Sequence, residues 1–292
     1  MTDNEKDLLK QFHDVVDEMR KNVDADANRY ITPENIFQPA LMNNREIFSQ
    51  FLETLIMEES GIEGKENLLK FHENFKNGVS SLILAEHKSN FDVPVFYKVM
   101  HNEGEPFKGI FEDIVFIAGR KLNEEESFVK IMAEQFNRVM VAPKSELVNA
   151  DEEERDLAVR INLATQKFIR DKRKDYIFLV FPTGTRSKPW DRSTYNGIRE
   201  VFSYIRGFDQ MIFMSINGNC MVPRQGPMSQ EPPRKDVIKL IFSEPRNTKE
   251  WIAESRKLWE ESDKSVEFKQ FGINRVMDKI YEQKGVMPWN ER

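Results

Sequence analysis

His87 and Asp92 stand five positions apart in Leu82-Ile83-Leu84-Ala85-Glu86-His87-Lys88-Ser89-Asn90-Phe91-Asp92, and they are a pair suited to moving a proton. A neutral imidazole, with an ordinary pKa near ~6.5, takes a proton from an alcohol and returns it to a leaving group when its other ring nitrogen is held by an acceptor. Asp92 is that acceptor if the chain turns back between the two. Two plainer roles compete: Asp92 as a helix N-cap ahead of Val93-Pro94, and His87 as a hydrogen-bonded core histidine. A second stretch bears on the choice. In Phe181-Pro182-Thr183-Gly184-Thr185-Arg186-Ser187-Lys188-Pro189, a glycine between two threonines lets backbone N–H groups approach an anion, and Arg186 and Lys188 add two cations. That loop suits a phosphate, or else is an exposed basic turn. Its glycine and lysine spacing is not that of a nucleotide P-loop.

Both stretches follow short apolar runs, which sets the elements that must hold them. Apolar runs at 81–85, 114–118, 139–142, 176–181, 211–216 and 237–242 alternate with helical patterns, so the fold class expected is α/β, a largely parallel mixed sheet covered by helices. His87 and Arg186 then sit at strand exits, where α/β proteins place their chemistry. The clearest helix follows the third run. Leu157, Ile161, Ala164 and Phe168 form one stripe, with Asp151-Glu152-Glu153-Glu154 at its start and Arg170-Asp171-Lys172-Arg173-Lys174 at its end, matching the helix dipole. Ahead of the sheet, residues 5–22 place Leu8, Leu9, Phe12, Val15, Val16 and Met19 at helical spacing. Asp24-Ala25-Asp26-Ala27-Asn28 reads as a break, so residues 1–30 form a small N-terminal helical appendage and 31–292 the α/β domain. Two more helices are expected at 45–59 and 65–77, and two covering helices from Thr248 onward.

The whole chain narrows the function further. Its 292 residues allow one large α/β domain with a small appendage, and 39% hydrophobic with 32% charged residues is ordinary for a folded protein. A net charge of −6 argues against nucleic acid as a partner. Cys220 is the sole cysteine, so an intramolecular disulfide is excluded and a buried, inert thiol is expected. Four scattered histidines without ligand spacing imply no metal. The acidic start lacks the pattern of a signal or transit peptide, and no window approaches the ~18 consecutive apolar residues of a spanning helix. A soluble, cytoplasmic protein is expected, with peripheral contact to a membrane left open.

Together the two stretches resemble the glycerolipid acyltransferases, which carry a His-x-x-x-x-Asp motif and a later Phe-Pro-Glu-Gly-Thr-Arg-Ser block. His87 and Asp92 match the first, and Phe181, Pro182, Gly184, Thr185, Arg186 and Ser187 match the second. Similarity extends with gaps from about Ile31 to Pro223. It is closest to the soluble, plastid-type glycerol-3-phosphate 1-O-acyltransferase branch, through Phe116-Ile117-Ala118-Gly119-Arg120 and Asn137-Arg138-Val139-Met140-Val141-Ala142-Pro143-Lys144. Glu86 replaces an asparagine common before the histidine, and Thr183 replaces the glutamate of membrane-bound members. Phe213-Met214-Ser215-Ile216-Asn217, with Pro223 further on, occupies the place of a proline-rich fourth block.

The resemblance implies acyl transfer from acyl carrier protein or acyl-coenzyme A to the sn-1 hydroxyl of glycerol 3-phosphate, without a cofactor. His87 is then the general base and Asp92 its partner. Lys144, Arg186 and Lys188, with Arg120 as a fourth, hold the phosphate, and Gly184 and Thr185 shape the loop. No Gly-x-Ser-x-Gly elbow is present, so direct attack is simpler than an acyl-serine route. Arg170, Lys172, Arg173 and Lys174 could steer an acidic carrier protein. Two alternatives stay open: 1-acylglycerol 3-phosphate as acceptor, and a non-catalytic protein that binds anions or phospholipids.

Overall fold

The structure, a computed structural model, describes residues 3–23, 30–124, 128–148, 150–226 and 230–285; the break expected at 24–28 lies outside them. In chain order the first half runs α1 (Asp3–Arg20), β1 (Phe37–Gln38), α2 (Arg45–Leu55), β2 (Gly61–Glu63), α3 (Lys65–Lys76), β3 (Ser81–Ala85), α4 (Asp92–Asn102), α5 (Phe107–Glu112), β4 (Ile114–Gly119), α6 (Lys121–Glu124), α7 (Phe128–Ala133) and β5 (Arg138–Val141). The second half runs α8 (Glu152–Lys172), β6 (Ile177–Val180), α9 (Phe202–Ile205), β7 (Gln210–Asn217), β8 (Lys239–Phe242), β9 (Arg246–Asn247), α10 (Thr248–Glu261) and α11 (Phe268–Glu282).

Nine strands among the described residues form one sheet in the order β1, β5, β4, β6, β3, β7, β8, β2, with β9 also on β7. The five inner strands β5, β4, β6, β3 and β7 are parallel, while β1, β8 and β9 run antiparallel to their neighbours on that core. The expected fold class, an α/β protein with a largely parallel mixed sheet, is the one observed. Parallel order puts the carboxyl ends of all five inner strands on one edge, and β3 lies between β6 and β7.

Strand periodicity explains the two cores. Alternate residues of a strand point to opposite faces, so Ile83 and Ala85 of β3 enter one cluster while Leu82 and Leu84 enter the other. Both faces are buried, and the strands therefore read as unbroken apolar runs. Residues of α1 to α5 and α7 cover the first face; α8 to α11 cover the second. The Asp151 carboxylate accepts from Glu154 N at 2.9 Å, capping α8 at its acidic start. α1 is packed into the first core: Phe12 is 1% exposed and meets Phe51, Phe91 and Phe128 at ring separations of 5.3 to 5.7 Å.

Candidate active site

β3 delivers His87 two residues beyond its last residue, Ala85. The turn that follows brings Asp92 back, and His87 Nδ1 lies 2.7 Å from Asp92 Oδ2. The same oxygen accepts from the backbone N–H groups of Lys88 at 2.6 Å and Ser89 at 3.0 Å, and Oδ1 accepts from Ser89 Oγ at 3.2 Å. Asp92 is the first residue of α4, not its N-cap, and its carboxylate is turned toward the His87 turn. Four donors fix this carboxylate, so it can hold the imidazole in the Nδ1–H tautomer. Nε2 is then left as the basic nitrogen.

The Phe181–Lys188 loop closes over that histidine. β6 pairs with β3 through Leu84 and Val180, so the residue after Val180 emerges beside the β3 exit. Phe181 stacks on the His87 ring at a centroid distance of 4.2 Å and an interplanar angle of 19°. Ser187 N donates to the His87 carbonyl at 2.8 Å. Arg186 and His87 are thus brought to the same end of the sheet by direct contacts between their segments. His87 keeps 21% of its side chain exposed, and Asp92 only 5%. The imidazole is accessible while its partner is sheltered, as a general base requires.

The loop holds its own shape. Gly184 N donates to Phe181 O at 2.9 Å, Thr183 Oγ1 to Thr185 O at 2.6 Å, and Ile198 N to Pro182 O at 2.9 Å. Gly184 has φ +66°, a left-handed conformation that selects glycine, whereas the nearest atom to a Cβ there, Ile198 Cδ1 at 2.8 Å, is the end of an exposed side chain that can move aside. Lys188 N donates to Thr194 Oγ1 at 2.8 Å, which ties the loop's end to the next turn.

The cations expected around a phosphate are distributed unequally. Arg186 donates through Nη1 and Nη2 to the two oxygens of Glu231, each at 2.6 Å; the arginine side chain is 10% exposed and the glutamate 0%. Breaking such a buried pair by removing one partner costs about 3–5 kcal/mol. Arg120, at the β4 exit, is also largely buried and donates through Nε to Glu146 at 2.9 Å. Lys144, at the β5 exit, is 67% exposed and pairs with Glu200 at 2.7 Å. It lines a groove of about 260 Å³ with Arg199, Glu200, Ser203, Glu267 and Lys269. Strands repeat every ~4.8 Å, so β4 and β5 lie roughly 10 and 14 Å across the sheet from β3. Arg186 and Lys188 therefore share a loop with the histidine, whereas Arg120 and Lys144 stand at successive strand ends to one side.

Two carboxylates here carried no expected role. Glu86, adjacent to His87, is 2% exposed; its Oε2 accepts from Ile216 N at 3.0 Å and its Oε1 from Lys284 Nζ at 2.7 Å. Glu231 sits where Val222 N donates to Pro232 O at 3.0 Å and Arg234 N to Cys220 O at 2.9 Å, a short antiparallel pairing that presses it against Arg186. Glu86 departs from the family pattern, which is a signal. Glu231, an acid before two prolines, offers none.

A model of the acyltransferase family matches residues 63–228, more than half of the chain and a span holding both blocks. The chain belongs to the acyltransferase family. No curated protein matches it. Among solved structures it is similar to the 1-acyl-sn-glycerophosphate (LPA) acyltransferase PlsC from Thermotoga maritima, at 17% sequence identity and a TM-score of 0.45, over 84% of this chain and 85% of that one. His87 and Asp92 lie within the matched span. Among the described residues of this acyltransferase, no helix is long and apolar enough to cross a membrane.

Proposed function

We propose that this acyltransferase moves a fatty acyl group from a thioester of acyl carrier protein or coenzyme A to the sn-1 hydroxyl of glycerol 3-phosphate. This is the first acylation of phospholipid synthesis. The observation that carries the reading is the 2.7 Å contact between His87 Nδ1 and Asp92 Oδ2, under a loop that bears Arg186 and Lys188. A base next to cations fits an alcohol that also carries a phosphate.

In this mechanism His87 Nε2 takes the hydroxyl proton as the alcohol oxygen attacks the thioester carbonyl. The imidazolium so formed is stabilised by the Asp92 carboxylate. The tetrahedral intermediate collapses, the carbon–sulfur bond breaks, and the departing thiolate recovers the proton from Nε2, giving an ester and a free thiol. Phe181, stacked on one face of the imidazole, keeps water from that face and limits the ring's movement. Arg186 and Lys188 hold the phosphate, with Arg120 and Lys144 as further cations at the neighbouring strand ends. The acceptor is read from the segments similar to the plastid-type branch, Phe116 to Arg120 and Asn137 to Lys144. Arg170, Lys172, Arg173 and Lys174 lead into the start of β6 and so lie at the amino edge of the sheet, away from His87, and they do not choose between the two donors.

Thiol release from an acyl donor, measured with glycerol 3-phosphate and separately with 1-acylglycerol 3-phosphate, tests the reading. Release with glycerol 3-phosphate is expected, and Arg186→Ala raises its KM far more than that of the donor. Release only with the lysolipid moves the assignment to the second acylation. Release with neither makes the protein an anion or phospholipid binder.

A further inference from the structure

Arg186 meets Glu231 end-on: Nη1 reaches Oε2 and Nη2 reaches Oε1, both at 2.6 Å. A guanidinium carries five N–H donors in a rigid plane, and end-on pairing uses one hydrogen on each Nη. Three remain: the second Nη1 hydrogen, and the Nε–H and second Nη2 hydrogen, which together form a second fork along the side of the group. No described residue accepts from Nε. A phosphate monoester presents the paired oxygens that such a fork takes bidentately.

Glu231 is fully buried, and a carboxylate in that position holds a compensating cation tightly because releasing it leaves an unpaired charge out of water. An incoming phosphate therefore does not displace Glu231. It shares the guanidinium with it. The backbone pairing of Val222 with Pro232 and of Cys220 with Arg234 fixes the glutamate, and Ser187 N on His87 O fixes the loop that carries the arginine. Guanidinium orientation is thus defined from both ends, and the side-on fork has one direction in which to point.

We propose that Glu231 is a positioning residue for phosphate recognition: it stays paired with Arg186 throughout turnover and aims the Nε–Nη2 edge at the phosphate of the acceptor. This rests on the reading of Arg186 as a phosphate ligand and adds a second residue, remote in sequence, that sets acceptor affinity. Glu231 is fully buried and reaches the site through Arg186. Its loss acts on one substrate only.

The test compares wild type, Glu231→Gln and Glu231→Ala in KM for glycerol 3-phosphate, KM for the acyl donor and inhibition by inorganic phosphate. Circular dichroism and the thermal midpoint establish that each variant is folded. Glu231→Ala should raise the acceptor KM and the phosphate inhibition constant together, tenfold or more, and leave the donor KM within twofold. Glu231→Gln keeps one accepting oxygen and should shift both in the same direction by less. If Glu231→Ala does not fold, the glutamine variant decides. An acceptor KM that is unchanged or lower in a folded variant overturns the proposal, because Glu231 then competes with phosphate or only supports the fold. A matching rise in donor KM overturns it as well. Wild-type enzyme that ignores glycerol 3-phosphate but uses 1-acylglycerol 3-phosphate refutes the acceptor assignment alone, and the same comparison with that acceptor then judges Glu231. A thermal shift of each variant with inorganic phosphate needs no turnover: a wild-type shift reduced in the variants supports the proposal, and equal shifts overturn it.

Discussion

Lys284 Nζ lies 2.7 Å from Glu86 Oε1, and the two side chains are 2% and 3% exposed. The carboxylate sits one residue before His87 and also accepts from Ile216 N of β7, so the segment just after α11 is tied to the strand exit that carries His87. A buried ion pair contributes little net stability compared with an apolar pair of the same shape, but losing one partner strands the other charge. Lys284→Met should therefore destabilise the protein by about 3–5 kcal/mol in chemical denaturation, while Glu86→Gln with Lys284→Met recovers most of the loss. A single lysine replacement costing under about 1 kcal/mol, as a solvent-exposed pair does, would remove the pair from this account.

Asp92 separates orientation from folding. Asparagine in its place keeps an oxygen for the Lys88 and Ser89 N–H groups but loses the charge facing the imidazole. Asp92→Asn should lower kcat by about 10²-fold or more with little change in either KM, the range of a lost acid–base contribution. Asp92→Ala should also lose stability, about 1–3 kcal/mol for each buried donor left unpaired. Parallel steady-state kinetics and denaturation separate the two variants. An Asp92→Asn enzyme with normal kcat contradicts the role given to the carboxylate.

Cys220 is expected to take no part in turnover. It is 1% exposed, and burial, with Asp236 adding to it, pushes the thiol up to about 12. A raised thiol pKa keeps the group protonated at pH 8, where only the thiolate alkylates. Iodoacetamide at pH 8 should leave native activity unchanged and label Cys220 only in denaturant, as mass spectrometry reports. Rapid labelling of the native protein with loss of activity would contradict this.

The inner strands were legible because both faces are buried, which turns β3 to β7 into continuous apolar runs. Edge strands were not. β1, β2 and β9 span two or three residues, too short for any periodicity, and exist because β5, β8 and β7 offer them partners. The helix expected at 45–59 ends at Leu55, because Ile56 turns extended and bridges to Asp236 far along the chain. The same distinction runs through the site. His87 and Asp92 are five residues apart in a single turn, so their spacing announced them. Arg186 finds Glu231 45 residues on and Glu86 finds Lys284 198 residues on, contacts created by tertiary packing alone. The expected phosphate ligands Arg120 and Lys144 each have a carboxylate partner, Glu146 and Glu200, which spacing does not reveal.

The most direct test of the account is the initial rate of thiol release with saturating acyl donor and glycerol 3-phosphate, wild type against His87→Ala. Removing a general base costs typically ~10²–10⁴-fold, so the variant should lose at least about 10²-fold in kcat while inorganic phosphate still stabilises it against heat. A folded His87→Ala enzyme within about tenfold of wild type contradicts the assignment of His87 as the base.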